Sequence, residues 1–97
     1  MFAVIYRFRV VPGETESFTE AWQQLTELFH KEAGALGSRL HTGEDELWAY
    51  ARWPSREMWE RAELSEAAEP WFTQMRAAST SVEVVLQGNI QLDLLQD

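Results

Sequence analysis

Residues 47 to 53 read LWAYARW, and in an extended chain neither face of that segment is polar. Leu47, Ala49, Ala51 and Trp53 point one way, while Trp48 and Tyr50 point the other with Arg52 as the only charge, because successive strand side chains alternate. A strand of this kind belongs in the middle of a sheet, covered on both sides. The stretch from Leu47 to Trp59 also holds three of the five tryptophans and one of the two tyrosines. It must therefore either build core or line a pocket for a flat aromatic molecule.

The rest of the chain supplies the partners such a strand needs. FAVIYRFRVV (2 to 11) alternates, with Phe2, Val4, Tyr6, Phe8 and Val10 on one face and Ala3, Ile5, Arg7, Arg9 and Val11 on the other. Pro12-Gly13 ends it. Phe18, Ala21, Trp22, Leu25, Leu28, Phe29 and Ala33 then recur at steps of three and four, which predicts a helix of about five turns closed by Gly34. ALGSRLHT (35 to 42) and ELWAYARW (46 to 53) flank Gly43-Glu44-Asp45 and read as a β-hairpin. Pro54-Ser55 opens a second helix with Ser55 as N-cap and Met58, Trp59 and Ala62 inward. Pro70 marks the first turn of a further helical segment carrying Trp71, Phe72 and Met75. The end holds a fourth strand with Val82, Val84 and Leu86 in alternation. Its extension past Gly88-Asn89, carrying Ile90, Leu92 and Leu94, is expected to reach a neighbouring subunit.

The order strand, helix, strand, strand, helix, strand fits an α+β, ferredoxin-like βαββαβ fold with a four-stranded antiparallel sheet, strands one and three central. A single domain over residues 1–97 is expected for a chain of 97 residues, which is near the size where a lone core is thin. Two helical segments cover only one sheet face. The other would leave Ile5, Val11 and one of the two apolar sets of the third strand in water, a patch that calls for cover. A second copy supplies it, so a homodimer through the open sheet face is expected.

Composition narrows the partners. Sixteen acidic against eight basic residues give a net charge of −8, which repels phosphate backbones and anionic lipid heads, so neither nucleic acid nor membrane is an expected partner. No apolar run approaches the roughly eighteen residues of a membrane span. The chain has no cysteine, and arginine comes too early in MFAVIYRFRVV for a signal-peptide core, so a cytoplasmic location is expected.

VIYRFRVVPG, an acidic helix with FTEAWQQL, a hairpin, and then YARWPSRE and EPWFTQM resemble, in order and spacing, the antibiotic biosynthesis monooxygenase family of dimeric α/β barrels, over roughly residues 2 to 86. The resemblance implies a ligand between the sheet and the helices of each subunit. It also implies one of two chemistries, cofactor-independent oxidation of a small aromatic phenol, quinol or anthrone, or haem degradation. Haem-degrading members carry an Asn on the first strand, a Trp on the second helix and a His beyond it; those positions here are Tyr6, Ala62 and Arg76. Without an axial imidazole, haem loses its main anchor. No cofactor is therefore expected. An isomerase or decarboxylase on the same fold has no residue here to support it.

Tyr6, on the helix-side face, is a candidate to contact a bound phenol, with a satisfied core tyrosine as the alternative. Arg76 is a candidate to hold a phenolate or steady superoxide, with a solvated surface arginine as the alternative. Phe8, Trp22, Leu25, Trp59 and Phe72 are the candidate pocket walls, with plain core as the alternative. Ala49 and Ala51 leave room either for close helix packing or for a cavity. His30 falls off the apolar stripe, and His41 shares a strand face with Arg39 toward the dimer side or rim. The two imidazoles are too isolated for a metal site, and none is expected. Without the chemistry, the same fold remains a small-molecule-binding or stress-associated dimer.

Overall fold

A computed structural model describes residues 1–43 and 46–95. The elements run β1 (Phe2–Val10), α1 (Thr15–Ala33), β2 (Gly37–Thr42), β3 (Leu47–Trp53), α2 (Arg56–Glu60), a 3-10 turn (Glu66–Ala68), α3 (Glu69–Ala78) and β4 (Ser79–Asn89). The strands form one antiparallel sheet in the order β2-β3-β1-β4. This is the ferredoxin-like βαββαβ layout, with β1 and β3 central as expected. The second helical region is divided: α2 ends at Glu60, and Pro70, which lacks an N–H, sits in the first turn of α3, where none is needed.

Alternation decides which side chains meet the helices. Phe2, Val4 and Phe8 of β1 and Leu47, Ala49 and Trp53 of β3 are buried beneath α1, α2 and α3. The set Leu47 to Trp53 is thus the inner one, and Trp48 and Tyr50 lie on the open face with Ile5. On α1, the buried Phe18, Ala21 and Leu25 follow the spacing of one helical stripe. The rings of Phe8 and Phe18 meet at 4.9 Å between centroids, tilted by 57°. Fully burying Phe2, Val4 and Phe18 stabilises the fold by about 1.5–3 kcal/mol each.

Polar contacts fix the helices to one another. Gln74 Nε2 of α3 donates to the Ser17 carbonyl and to Glu20 Oε1 of α1, both at 2.9 Å. Glu32 near the end of α1 accepts from the Ser65 N–H at 2.7 Å and from its hydroxyl at 3.0 Å, anchoring the approach to α3. Gly34 ends α1 in the left-handed region at φ 82° and donates its N–H to the Phe29 carbonyl. His30 Nδ1 lies 2.5 Å from the Ala35 carbonyl and helps tie down the same turn.

Several local expectations change. The hairpin turn was expected at Gly43-Glu44-Asp45; Glu44 and Asp45 lie outside the described residues, while the Gly43 N–H donates to the Glu46 carbonyl at 2.8 Å. Met58 is 38% exposed, lying over Gly34 rather than in the core, because α2 is too short to bury more than one stripe. In β4 the register slips opposite Ile5 and Tyr6, so that Tyr6 pairs with Val84 and Ile5 with Leu86. This bulge adds a residue, Val85, and turns Leu86 to the open face while Val82 and Val84 stay on the helix side. β4 runs on through Gly88 to Asn89, and residues 91–95 form no strand. Leu92 and Leu94 there are each 77% exposed.

Gly34→Ala places a Cβ at positive φ and within 2.5 Å of the Met58 Cε. Met58 is a flexible end and moves aside, but the backbone strain stays. Urea unfolding of the variant is expected to report a loss of about 1–2 kcal/mol.

Candidate functional site

A cavity of about 310 Å³ lies between the sheet and the helices. Its existence follows from the size of side chains at facing positions. Ala51 on β3, Ala35 and Gly37 at the start of β2, and Ala62 after α2 line it, leaving a space that the surrounding rings do not fill. Of the two alanines on β3, only Ala51 borders the cavity; Ala49 is packed in the core beside Phe8, Phe18 and Leu47.

The walls are aromatic. Trp22 and Phe29 come from α1, Trp53 from β3, Trp59 from α2 and Phe72 from α3. Phe29 meets Trp53 edge-on at 5.9 Å and Phe72 edge-on at 6.4 Å between centroids, so one phenyl ring joins the strand wall to the α3 wall. Leu25 and Met75 complete the apolar side. Of the sequence-derived candidates, Tyr6, Phe8, Trp22, Leu25, Trp59 and Phe72 are brought together here. Arg76 is not: it is exposed on α3, and the cavity wall is formed instead by its neighbour Met75. A helix turns 100° per residue, and here the step from Met75 carries Arg76 to the exposed side of α3.

The polar centre is a pair. Trp59 Nε1 donates to the Tyr6 hydroxyl at 2.8 Å. Several contacts put the indole there. Ser55 caps α2 by accepting the Met58 N–H at 3.2 Å, and the indole packs on Phe2 with centroids 5.5 Å apart. Tyr6 in turn lies stacked beside Phe8 at 6.0 Å. An indole N–H only donates, so the tyrosine oxygen is the acceptor. Its own proton is then available to a ligand. Burial pushes the Tyr6 phenol above its ordinary value of 10.0, and the bond from Trp59 offsets part of that rise. Near neutral pH Tyr6 is therefore a neutral donor and a poor base.

Among the described residues, no imidazole, carboxylate, lysine or arginine lines the cavity. His30 sits at the end of α1, and His41 lies on the opposite side of the sheet in a second depression with Arg39, Trp48 and Tyr50. Among the described residues there is no group of three or more His, Cys, Asp or Glu side chains able to hold a metal ion. Among the same residues no helix is long and apolar enough to cross a membrane.

Among the wall residues the sequence reading missed are Phe29, Met75 and Val82, and also Thr26, Trp53 and Ser38. Trp53 was assigned to a face of β3 without a cavity to border, and Ser38 lay in a strand with no strong pattern. The available signal for Thr26 was a hydroxyl four residues after Trp22 on an otherwise apolar helical stripe.

Comparison with known proteins bears on the fold and the family. No curated protein matches the sequence. Among solved structures, a mutant form of SnoaB, a cofactor-independent oxygenase from Streptomyces nogalater, is 21% identical with a TM-score of 0.76, the match covering 98% of this chain and 97% of that one. A putative antibiotic biosynthesis monooxygenase from Bordetella bronchiseptica is 18% identical with a TM-score of 0.77, over 94% and 97% of the two chains. Rv0793 from Mycobacterium tuberculosis is 20% identical with a TM-score of 0.74, over 97% and 98%. At such identities the likeness establishes the fold. The sequence pattern of antibiotic biosynthesis monooxygenases matches residues 1–74, and the chain belongs to that family.

Proposed function

We propose that this protein binds a small, flat aromatic phenol, quinol or anthrone in the cavity between sheet and helices and oxidises it with molecular oxygen, without a cofactor. The observation that carries the reading is the aromatic cavity with a tyrosine hydroxyl whose oxygen is already engaged by Trp59 and whose proton is free. For an anthrone, the CH2 carbon loses two hydrogens and gains one oxygen as a carbonyl. The second oxygen leaves as water. All four electrons that reduce O2 come from the substrate, so no reductant enters.

Among the described residues, those lining the cavity supply no general base. The substrate must then be acidic enough to ionise near neutral pH and to give its proton to water, which restricts it to phenols and anthrones whose anion is delocalised. In that scheme Tyr6 donates to the ring oxygen where the negative charge settles, and the aromatic walls hold the ring and exclude water. SnoaB is described as a cofactor-independent oxygenase, which is compatible with this chemistry. Arg76 has no role in it, since it does not line the cavity. The missing base also favours a second reading, a dimer that binds such a molecule without turning it over.

The reading includes a homodimer and a cytoplasmic setting. The support for pairing is the open sheet face, where Ile5, Trp48 and Tyr50 border a shallow depression, together with Leu86 at 62% exposure on β4. The absence of cysteine means that folding needs no oxidising compartment.

Light scattering at micromolar concentration is expected to return about twice the 11.2 kDa of one chain; a particle of the single-chain mass rejects the pairing. Oxygen consumption with a panel of anthrones and quinols is expected to exceed the protein-free rate, and Tyr6→Phe to lower kcat by about 100-fold, the scale of losing one donor to a developing oxyanion. Quenching of tryptophan fluorescence by the same compounds with no oxygen uptake selects the binding-only reading.

Tyr6 also predicts an alkaline limit. Its native pKa is raised above the value of 10.0 that it has when exposed, so the folded state holds the proton more tightly. That contribution to stability is complete below pH 10.0 and is lost as pH rises toward the native value. Urea midpoints measured from neutral pH upward are expected to fall in this range, and to fall less in Tyr6→Phe.

A further inference from the structure

Thr26 stands on the apolar stripe of α1 with Trp22, Leu25 and Phe29, and all four border the cavity. A hydroxyl at such a position is unfavourable unless it is hydrogen-bonded, and mid-helix threonines commonly satisfy themselves on the carbonyl four residues back. Here Thr26 does not: among the described residues its hydroxyl has no hydrogen-bond partner, and no side-chain oxygen or nitrogen is buried without one. The Thr26 oxygen is therefore not sealed in the interior, and Thr26 is among the residues that border the cavity. Ser38, the other aliphatic hydroxyl in the wall, is already donating to the Tyr50 carbonyl at 2.9 Å.

We propose that Thr26 is a second polar anchor, so that the site selects aromatic ligands carrying two ring oxygens, one held by Tyr6 on the sheet side and one by Thr26 on the α1 side. This rests on the cavity being the binding site. Tyr6 offers a proton to the first oxygen; Thr26, able to donate or accept, serves a carbonyl or a hydroxyl at the second. A compound with one ring oxygen meets Tyr6 alone and leaves the Thr26 hydroxyl facing apolar carbon. The choice between the two ligand types is then a difference in hydrogen bonds made, which an apolar wall by itself cannot provide.

The test is the isosteric Thr26→Val variant beside Thr26→Ser, with anaerobic binding followed by tryptophan fluorescence. The probes are anthrone, which has one ring oxygen, and anthraquinone, which has two on opposite edges. Thr26→Val is expected to weaken anthraquinone by about 5-fold, the scale of one neutral hydrogen bond, and to leave anthrone within error of wild type. Thr26→Ser is expected to keep the wild-type preference. The melting temperature of unliganded Thr26→Val is expected to be no lower than that of wild type, since no internal bond is lost. Equal effects on both ligands, or none, overturn the anchor while the cavity reading stands. Wild type binding neither compound overturns both.

Discussion

The alternation of β1 sends Phe2, Val4, Tyr6, Phe8 and Val10 to the helix side of the sheet together, and the site follows from that commitment. Tyr6 cannot turn away without taking Phe2 and Phe8 out of the core, because a strand that slips by one residue exchanges its faces completely. A phenol is thereby held in an apolar interior where its hydroxyl needs a partner. Trp59 supplies a donor at 2.8 Å, which leaves the tyrosine proton pointing at whatever occupies the cavity. The buried polar group and the free donor are two aspects of one packing decision.

The same arrangement joins stability to site geometry. Trp59 is placed by the short α2, whose start is fixed by Ser55, and its indole packs on Phe2 at the far end of β1 from Phe8. Phe29 bridges Trp53 and Phe72, so movement of α1 or α3 would shift two walls at once. The cavity is held open by small residues, Ala51, Ala62, Ala35 and Gly37, placed among large rings. Rigid aromatic walls around a space of about 310 Å³ suit a flat ligand, since little side-chain freedom remains to be lost on binding.

The outward face of the sheet follows different rules. Arg7 pairs there with Glu83 and lies over the Trp48 ring at 5.5 Å, and Arg52 lies 3.7 Å from Asp93 of the C-terminal segment. Charges and aromatic rings are interleaved, and the bulge in β4 adds Leu86 to this side. A face so composed is neither a finished core nor an ordinary wet surface, which is the physical basis for pairing in the proposed function.

Sequence alone determined the order of elements, the central places of β1 and β3, the end of α1 at Gly34, the cap at Ser55 and the place of Pro70 in the first turn of α3. Each depends on local rules, residue spacing or a backbone preference, that act within a few positions. It also gathered six of the seven candidate site residues on inward faces, because facing is a matter of period. Tertiary structure alone decided the rest. The bond between Tyr6 and Trp59 spans 53 positions, and no periodicity encodes the distance between a strand and a helix it has not yet met. Ala49 and Ala51 are equivalent in sequence, yet one is packed and the other opens a cavity, according to which ring lies above it. Arg76 turned out to solvent because the angular phase of α3 is set by how Met75 and Phe72 seat against α1 and the sheet. The β4 bulge is a backbone irregularity that leaves the apolar pattern readable but reverses its meaning from Leu86 onward.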